Sequence, residues 1–400
     1  MLKLALRGGE PVRTEPFPQW PVTGKYDTEF IAEVLKGNTW YRGTGTGNTY
    51  IDEFEVIWNK RHQLPFGFCV SNGTAALNIA LQALELEPGS EILVTSYTYI
   101  SSVFCILKAG LKPVFVDIDK ETYNIDPVKI EEAVTPKTKG IVLVHFGGRP
   151  VDFDRIMPIV KKYRLKVVED CAHAHGAEWK GKPVGSFGEL SCFSFHSAKN
   201  LTCGEGGYIG TTNEALYQKC WQLHNMGRKK GGSWNEYYEL GENQRLSNIA
   251  AALLCSQYLE FDRMQQIRQE NIDVMKQHLK EIPFLEPLKE DERVTSHGKH
   301  IFICRYKPEE FYNIPRYRFL TALQNEGIHC YSGYKVPLYR SRPLKEFYRE
   351  CPAAEIACSK EAIWFEHSFF MGTRKDVEDI CKAICKVRDN YQELVRKYHV

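Results

Sequence analysis

Long apolar runs are missing from this chain of 400 residues. No stretch approaches the roughly 20 consecutive apolar residues that a membrane-spanning helix requires. Residues 1–11 also lack the apolar core of a secretory signal. We therefore expect a protein of the cytoplasm that does not insert into a membrane. Internal repeats, low-complexity segments and flexible linkers are also lacking, which is typical of a globular protein.

The chain has little net charge. Lysine and arginine number 52, aspartate and glutamate number 50, and the formal net charge is +2 at pH 7. A broad attraction to nucleic acid or to acidic membranes requires a large excess of basic residues, so we expect neither as a partner. Apolar residues make up 43% of the sequence, which is enough to fill the cores of two domains.

Cysteines are numerous, but the patterns of a disulfide framework or a metal site are lacking. The thirteen cysteines are odd in number and irregularly spaced, which favours reduced, partly buried thiols. Cys381 and Cys385 lie one helical turn apart without a nearby pair of histidines, so we predict no metal site there. Cys171 and Cys203 flank the motifs described below, and packing is the role we expect for them.

Short apolar runs alternate with helical patterns along the first half of the chain. The alternation predicts an α/β fold with a mostly parallel central sheet flanked by helices, whose ligands bind beyond the carboxyl ends of the strands. The predicted strands are residues 91–95, 113–117, 140–145 and 166–169, and the predicted helices between them are 101–111 and 152–163.

A long helical pattern begins at Ser247 and continues towards Leu279. We expect it to carry the chain into a smaller α/β C-terminal domain. The predicted domains are residues 1–255, with the main ligand site, and residues 256–400. The charged stretch 289–293 is predicted to be a surface loop.

One lysine is placed where it could be reactive. Lys199 follows an apolar strand predicted at residues 190–195, and a glycine-rich turn at 204–207 closes the segment. Burial and nearby positive charge lower the pKa of a lysine, so that its free amine can attack an aldehyde near neutral pH. A lysine in such a turn is more often solvated, and only its neighbours favour the reactive interpretation.

A carboxylate ends the next candidate strand. Asp170 follows a short β-branched run at residues 166–169 that is typical of a buried parallel strand. A carboxylate there is costly to bury unpaired. One interpretation is that Asp170 pairs with the protonated pyridine nitrogen of a bound cofactor. The alternative is that it caps the N-terminus of a helix.

The segment 71–77 follows the apolar run 68–70 and opens a helical pattern that continues to about Leu84. Glycine and threonine at a helix start present N–H groups, a hydroxyl and the positive end of the dipole to an anion. Many such junctions carry these residues only for capping. With the amine of Lys199 and the carboxylate of Asp170, however, the segment completes the inventory of a pyridoxal phosphate (PLP) site.

The combined pattern resembles the DegT-type, or StrS-type, sugar and cyclitol aminotransferases, a branch of the fold-type I PLP-dependent transferases. The resemblance extends over nearly the whole chain. Seven segments carry it in the family's order: residues 40–44, 71–77, 95–99, 169–176, 194–207, 241–247 and 372–373.

The resemblance implies a role for each matching residue. Lys199 would form the Schiff base with PLP and Asp170 would pair with the pyridine nitrogen. His173 would lie near the ring oxygen, and Tyr99 would stack on the ring, where the family often has tryptophan or phenylalanine. The phosphate would be held by Gly73, Thr74, Ala75 and Ser194. Some relatives that dehydrate sugars have histidine in place of the lysine, so Lys199 favours transamination.

The resemblance also implies a homodimer with shared active sites. Asn243 matches a residue that reaches the phosphate from the neighbouring subunit. It lies in a polar loop, residues 241–245, just before the long helix. The alternative is that this loop is simply the turn that enters the helix.

Within the family, segments 146–152 and 333–340 look most like those of members that act on inososes and related cyclitols. We therefore predict amino transfer from glutamine or glutamate to a keto-cyclitol. The alternatives are a nucleotide-linked keto-sugar substrate and a non-catalytic regulatory relative. The candidate substrate residues are Tyr41, Arg42, Tyr334 and Tyr339, although tyrosine-rich stretches are equally suited to packing.

Overall fold

The computed structural model describes residues 3–42 and 49–395, so residues 43 and 44 of the matched N-terminal segment lie outside the described residues. Thirteen strands are present in the described ranges. They are β1 (Phe66–Val70), β2 (Glu91–Thr95), β3 (Lys112–Val116), β4 (Thr138–Val144), β5 (Lys166–Asp170), β6 (Glu178–Trp179), β7 (Lys182–Pro183), β8 (Leu190–Ser194), β9 (Gly207–Thr211), β10 (Leu285–Pro287), β11 (Val294–Ser296), β12 (Ile301–Tyr306) and β13 (Ala362–Glu366).

Helices flank these strands, and several short 3-10 turns join them. The α-helices of the described residues are α1 (Asp27–Lys36), α2 (Tyr50–His62), α3 (Gly73–Ala83), α4 (Ser101–Lys108), α5 (Pro127–Ala133), α6 (Phe153–Tyr163), α7 (Glu214–His224), α8 (Asn248–Leu279), α9 (Arg316–Asn325), α10 (Pro352–Ile356), α11 (Arg374–Asp389) and α12 (Gln392–Val395). None of them is long and apolar enough to cross a membrane.

The central sheet has seven strands in the order β1-β9-β8-β5-β4-β2-β3. Strand β9 runs antiparallel to both of its neighbours, and the remaining pairs are parallel. Successive side chains of a strand point to opposite faces, so Ile92 and Val94 enter one core while Leu93 enters the other. The mostly parallel sheet between two helical layers confirms the predicted fold class. Strand β9 lies directly after the glycine-rich turn and was not predicted.

The C-terminal part has a core of its own. Strands β10, β12 and β13 form a three-stranded antiparallel sheet, and its apolar face packs with residues such as Met275, Phe302 and Ile380. A third small sheet joins β11 to β6 and β7. Helix α8 passes through residue 255, and we retain the division into residues 1–255 and 256–400 as a proposal.

The thirteen cysteines are free thiols and most of them are buried, as predicted. Residues 289–293 form the loop between β10 and β11, also as predicted. Ser247 is the N-cap of α8, where its side chain accepts the N–H of Ala250, so the start of the long helix is predicted to the residue.

Candidate active site

Four strand ends meet at one edge of the central sheet. Strands β2, β5 and β8 run in one direction, and β1 shares it because both β1 and β8 are antiparallel to β9. Asp170 and Ser194 are the last residues of their strands, and α3 follows β1 after two residues. The predicted cofactor residues are therefore brought to the same edge, where parallel sheets bind ligands.

Asp170 is a buried carboxylate with two hydrogen bonds. Its exposed fraction is 6%, and it accepts the hydroxyl of Ser102 at 2.8 Å and the backbone N–H of Ala172 at 3.1 Å. Burial raises the pKa of Asp170, although both hydrogen bonds and the nearby Lys199 favour the carboxylate. The capping alternative is wrong, because residues 171–177 form turns rather than a helix.

Lys199 lies within electrostatic range of Asp170. Burial lowers the pKa of the Lys199 ammonium to about 8, while Asp170 acts in the opposite direction. Its loop is held by Asn200, whose side-chain N–H₂ group donates to the carbonyls of Gly298 at 2.7 Å and Lys299 at 3.1 Å. An appreciable fraction of free amine is thus available near neutral pH, which nucleophilic attack on an aldehyde requires.

The start of α3 offers open donors to an anion. Asn72 caps the helix by accepting the N–H of Ala75 at 2.8 Å, so this donor of the predicted phosphate cradle is already used. The backbone N–H groups of Gly73 and Thr74 have no hydrogen-bond acceptor among the described residues, 3–42 and 49–395. The Thr74 hydroxyl hydrogen-bonds that of Ser101 at 2.8 Å.

Gly73 and Ser194 lie in contact across this cradle. A Cβ added at Gly73 would come within 2.6 Å of the Ser194 Cβ. Only glycine therefore permits the backbone of α3 to approach the end of β8. This contact places a hydroxyl next to the open N–H groups at a positive helix end, as a phosphate group requires.

His173 is a neutral imidazole next to the same site. Burial, with the positive charge of Lys199 as a further cause, holds the pKa of His173 well below its usual range. Its Nδ1 accepts the N–H of Gly147 at 3.3 Å, and the neutral ring therefore carries its proton on Nε2. His173 can donate this proton to an oxygen acceptor. Its ring also lies 4.3 Å from that of His300.

Two of the predicted aromatic residues have exposed or half-buried rings. Tyr99 comes after the end of β2 and is 61% exposed. Tyr334 is half-buried and packs edge-on against Tyr97 at 5.1 Å and Trp364 at 4.9 Å. Burial raises the pKa of the Tyr334 phenol, and the charges of Asp170 and Tyr99 add to that effect. Tyr334 therefore lies within electrostatic range of Asp170, and its role towards a substrate stays a prediction.

Tyr339 belongs to the packed interior and is not exposed to a substrate. It is fully buried, and its hydroxyl donates to Glu355 at 2.7 Å while accepting the N–H of Cys351 at 3.2 Å. Its ring packs edge-on against Phe115 at 5.7 Å. The prediction of a substrate role for Tyr339 is therefore corrected to a packing role.

Arg42 also points into the interior. Its guanidinium forms ion pairs with Glu55 at 2.6 Å and Asp52 at 3.0 Å, and lies 4.8 Å from the ring centre of Trp221. These contacts commit the charge, so Arg42 stabilises the packing of α2 and is not available to a substrate. Tyr41, beside it, is 57% exposed and pairs through its backbone with Ser247.

Asn243 is exposed at the surface of the chain. Its backbone pairs with Asn225, and the carbonyl of the next residue, Gln244, accepts the N–H of Ser71 at 2.7 Å. The loop therefore lies against the segment that enters α3. A role for Asn243 in a neighbouring subunit stays a prediction.

Ser102, which bonds Asp170, and Glu169, which anchors the end of β5, support the site and were missed by sequence reasoning. Glu169 precedes Asp170 on β5 and faces the opposite core, where it accepts the N–H groups of Gly185 at 2.8 Å and Gly188 at 2.7 Å. Burial alone would raise its pKa, but His145 and these N–H groups lower it overall. Glu169 thereby anchors the end of β5. The run Lys166–Asp170 has no alternation of apolar and charged residues that would have indicated the face of Glu169, and nothing in the sequence connects Ser102 to Asp170.

The chain belongs to the DegT/DnrJ/EryC1/StrS aminotransferase family, whose model matches residues 22–385. A putative L-glutamine:3-amino-2,3-dideoxy-scyllo-inosose aminotransferase from Streptoalloteichus tenebrarius is 36% identical and covers 98% of this chain and 99% of its own length. The GDP-perosamine synthase of Escherichia coli is 34% identical over 85% of this chain and 90% of its own.

Solved structures show the same fold. An aminotransferase from Psychrobacter cryohalolentis superimposes with a TM-score of 0.88 at 28% identity, covering 95% of this chain and 100% of its own. A putative sugar aminotransferase from Streptococcus pneumoniae, in its PMP form, gives a TM-score of 0.84 at 26% identity, covering 96% and 100%.

The protein is therefore a PLP-dependent aminotransferase, and its residues fit that cofactor. Gly73 and Ser194 shape a cradle with open N–H donors for the phosphate. Asp170 is a buried carboxylate suited to the ring nitrogen, and Lys199 supplies an amine with a pKa of about 8.

Proposed function

We propose that this aminotransferase moves an amino group from glutamine or glutamate to the ketone of a cyclitol such as an inosose. The observation that carries the proposal is the full-length similarity, at 33–36% identity, to relatives named as glutamine-dependent scyllo-inosose aminotransferases. The competing substrate is a nucleotide-linked keto-sugar, and the similarity to a GDP-perosamine synthase favours that alternative.

The ion pairs of Arg42 favour a substrate that carries no diphosphate. A nucleotide-linked sugar carries a diphosphate, which proteins generally bind with arginine, lysine or helix N-termini. Arg42 was the cation among the predicted substrate residues, and its charge is committed to Glu55 and Asp52. The remaining candidates, Tyr41 and Tyr334, are hydroxyl-bearing aromatic residues, which suit a polyol ring.

The residues of the chain divide the chemistry among them. When bound, PLP supplies the carbonyl carbon that carries the amino group and a ring that accepts electrons. Lys199 Nζ would take a proton from the substrate carbon and deliver it to the C4′ carbon of the cofactor, which its pKa of about 8 allows near neutral pH. A positioned base of this kind contributes about 10²- to 10⁴-fold to the rate.

Asp170 and His173 hold the other protons. The Asp170 carboxylate, which Ser102 keeps in place, would hold a proton on the pyridine nitrogen of the bound cofactor. His173 would donate its Nε2 proton to the ring oxygen, because its Nδ1 already accepts the N–H of Gly147. The ring of Tyr99 offers an aromatic face at the end of β2, against which the cofactor ring can stack.

The active unit in this proposal is a cytoplasmic homodimer, in which Asn243 of one subunit binds the phosphate in the other. Its support is the exposed side chain of Asn243 and the family pattern of residues 241–247. Thr74 and Ser194 of the first subunit would complete the phosphate site.

The substrate class is tested with the amino form of the holoenzyme. The enzyme is converted with L-glutamine, freed of donor, and mixed with scyllo-inosose, 2-deoxy-scyllo-inosose or GDP-linked and TDP-linked 4-keto-sugars. We expect the cofactor absorbance to return to the aldehyde form with the inososes. If the absorbance returned to the aldehyde form only with nucleotide-linked sugars, the substrate would be a nucleotide-linked keto-sugar instead. Lys199→Ala serves as the inactive control.

A further inference from the structure

A large cavity lies beside the segment that holds the Lys199 loop, since the carbonyl of Lys299, one of its lining residues, accepts the side-chain N–H of Asn200. Its volume is about 740 Å³, and it opens between the 146–149 turn, helix α8 and residues 287–303. This volume is within the range of small-molecule sites, about 300–1,000 Å³. Among the described residues, none of those that line it belongs to the predicted PLP or substrate set.

Two buried cations line the cavity, and neither forms an ion pair with a carboxylate of the described residues. Arg149 is 9% exposed and Lys299 is 8% exposed. The Arg149 guanidinium has five N–H groups, and its hydrogen bond in the described part of the chain is a long one, 3.5 Å, to the carbonyl of Leu288. Lys299 Nζ donates to the carbonyl of His297 at 3.1 Å. Burying a cation without an anionic partner is costly.

The pKa values of Arg149 and Lys299 are both lowered, as expected for buried cations with too little negative charge near them. Burial lowers the pKa of Lys299 to about 8, with the charges of Arg268 and Lys276 acting in the same direction and Asp273 partly offsetting them. Burial also lowers the pKa of Arg149, although Glu290 and Asp291 partly offset it. An anion bound in the cavity would raise both pKa values.

Two of the three carboxylates that line the cavity are already paired. Glu290 forms an ion pair with Lys276, and Asp291 forms one with Arg293 at 2.6 Å. The third, Glu292, is exposed to solvent. Among the described residues, Arg149 and Lys299 are therefore the lining cations that no carboxylate pairs.

His297 adds a neutral donor. Burial, with Arg149 and Lys299 as further causes, holds the pKa of His297 well below its usual range. Its Nδ1 accepts the N–H of Lys299 at 2.8 Å, so Nε2 carries the ring proton. The opposite wall is apolar and includes Phe146, Ile301 and Ile303.

We propose that this cavity binds a small organic anion whose carboxylate or phosphate group pairs with Arg149 and Lys299. The apolar body of the ligand contacts Phe146, Ile301 and Ile303. The fork of an arginine binds either acidic group in a bidentate manner. The residues that would bind the ligand are outside the predicted PLP and substrate set, and the proposal does not depend on which ketone the enzyme uses.

The test uses the PLP-loaded holoenzyme, in which the phosphate cradle at α3 is already filled. Sodium phosphate and sodium succinate are the two probes, each titrated against sodium chloride at equal ionic strength, with melting temperature and calorimetric binding as readouts. We expect a saturable effect of at least one probe beyond that of chloride. The effective probe identifies which acidic group the site prefers.

Variants locate the binding. Arg149→Gln and Lys299→Met should each weaken probe binding at least tenfold, while Lys375→Gln, which removes an exposed lysine elsewhere, should leave it unchanged. Lys299→Met keeps the side-chain length and removes a buried charge, so we expect it to fold and to decide the matter if Arg149→Gln does not. Probes that act no more strongly than chloride, or equal binding by the folded cavity variants, would overturn the proposal.

Discussion

Replacing Lys199 with methionine should stabilise the apoenzyme while abolishing catalysis. Lys199 has a pKa of about 8 in the folded chain, against the ordinary value of 10.5. Each unit of difference corresponds to about 1.4 kcal/mol. The ammonium therefore costs the folded state up to about 3 kcal/mol at pH 7, and a methionine of similar length does not carry that cost.

The stability gained by Lys199→Met should depend on pH, because the pKa of Lys199 differs between the folded and unfolded chains. Below pH 8 the lysine is protonated in both folded and unfolded chains, so the full penalty applies to the unmutated protein. As the pH rises from about 8 to 10.5, the folded chain loses its proton before the unfolded chain, and the penalty disappears. The advantage of Lys199→Met should thus be largest at neutral pH and vanish in alkaline solution.

The assay is urea denaturation of the cofactor-free proteins at a fixed subunit concentration, at pH 7 and again near pH 10. Lys375→Met, at an exposed lysine, is the matched control and should show no such pH dependence. If Lys199→Met lowered the stability at pH 7, or shifted it equally at both pH values, desolvation of Lys199 would not be the cause of its lowered pKa.

Three further predictions concern the cofactor and the dimer. Borohydride reduction should fix a pyridoxyl group on Lys199, as located by mass spectrometry, and an adduct on another lysine would refute the assignment. Asp170→Asn should reduce turnover by orders of magnitude with a smaller loss of PLP affinity. Ser102→Ala should reduce turnover by about tenfold, because a hydrogen bond to a charged group is worth about 1.5 kcal/mol or more. Half-reaction rates near normal in these variants would contradict both expectations. Mixing Asn243→Ala subunits with Lys199→Ala subunits should restore one intact site per heterodimer, and inactivity after proven subunit exchange would exclude a shared site.

Residues that follow strands were predictable because the physical signal is local. Asp170, Ser194 and the start of α3 each come directly after an apolar run, and parallel strands bring such positions to one edge. Lys199 is further along its loop, yet its glycine-rich surroundings and the family pattern identified it. The N-cap of α8 at Ser247 was equally local.

Side-chain direction was not predictable in the same way. Arg42 and Tyr339 both lie in segments that match the family, but their environments depend on residues distant in the fold, such as Trp221 for Arg42 and Phe115 for Tyr339. The partnership of Ser102 with Asp170 joins positions 68 residues apart. No periodicity or spacing in the sequence carries such long-range information.

The two adjacent carboxylates of β5 make this strand unusually intolerant of insertions and deletions. Glu169 and Asp170 face opposite sides of the sheet, one bonded to backbone N–H groups and the other aimed at the cofactor site. A change of one residue in the length of the strand before them would exchange their faces. We therefore expect that, in a library of variants, substitutions along residues 166–168 survive far more often than any single-residue change in length there.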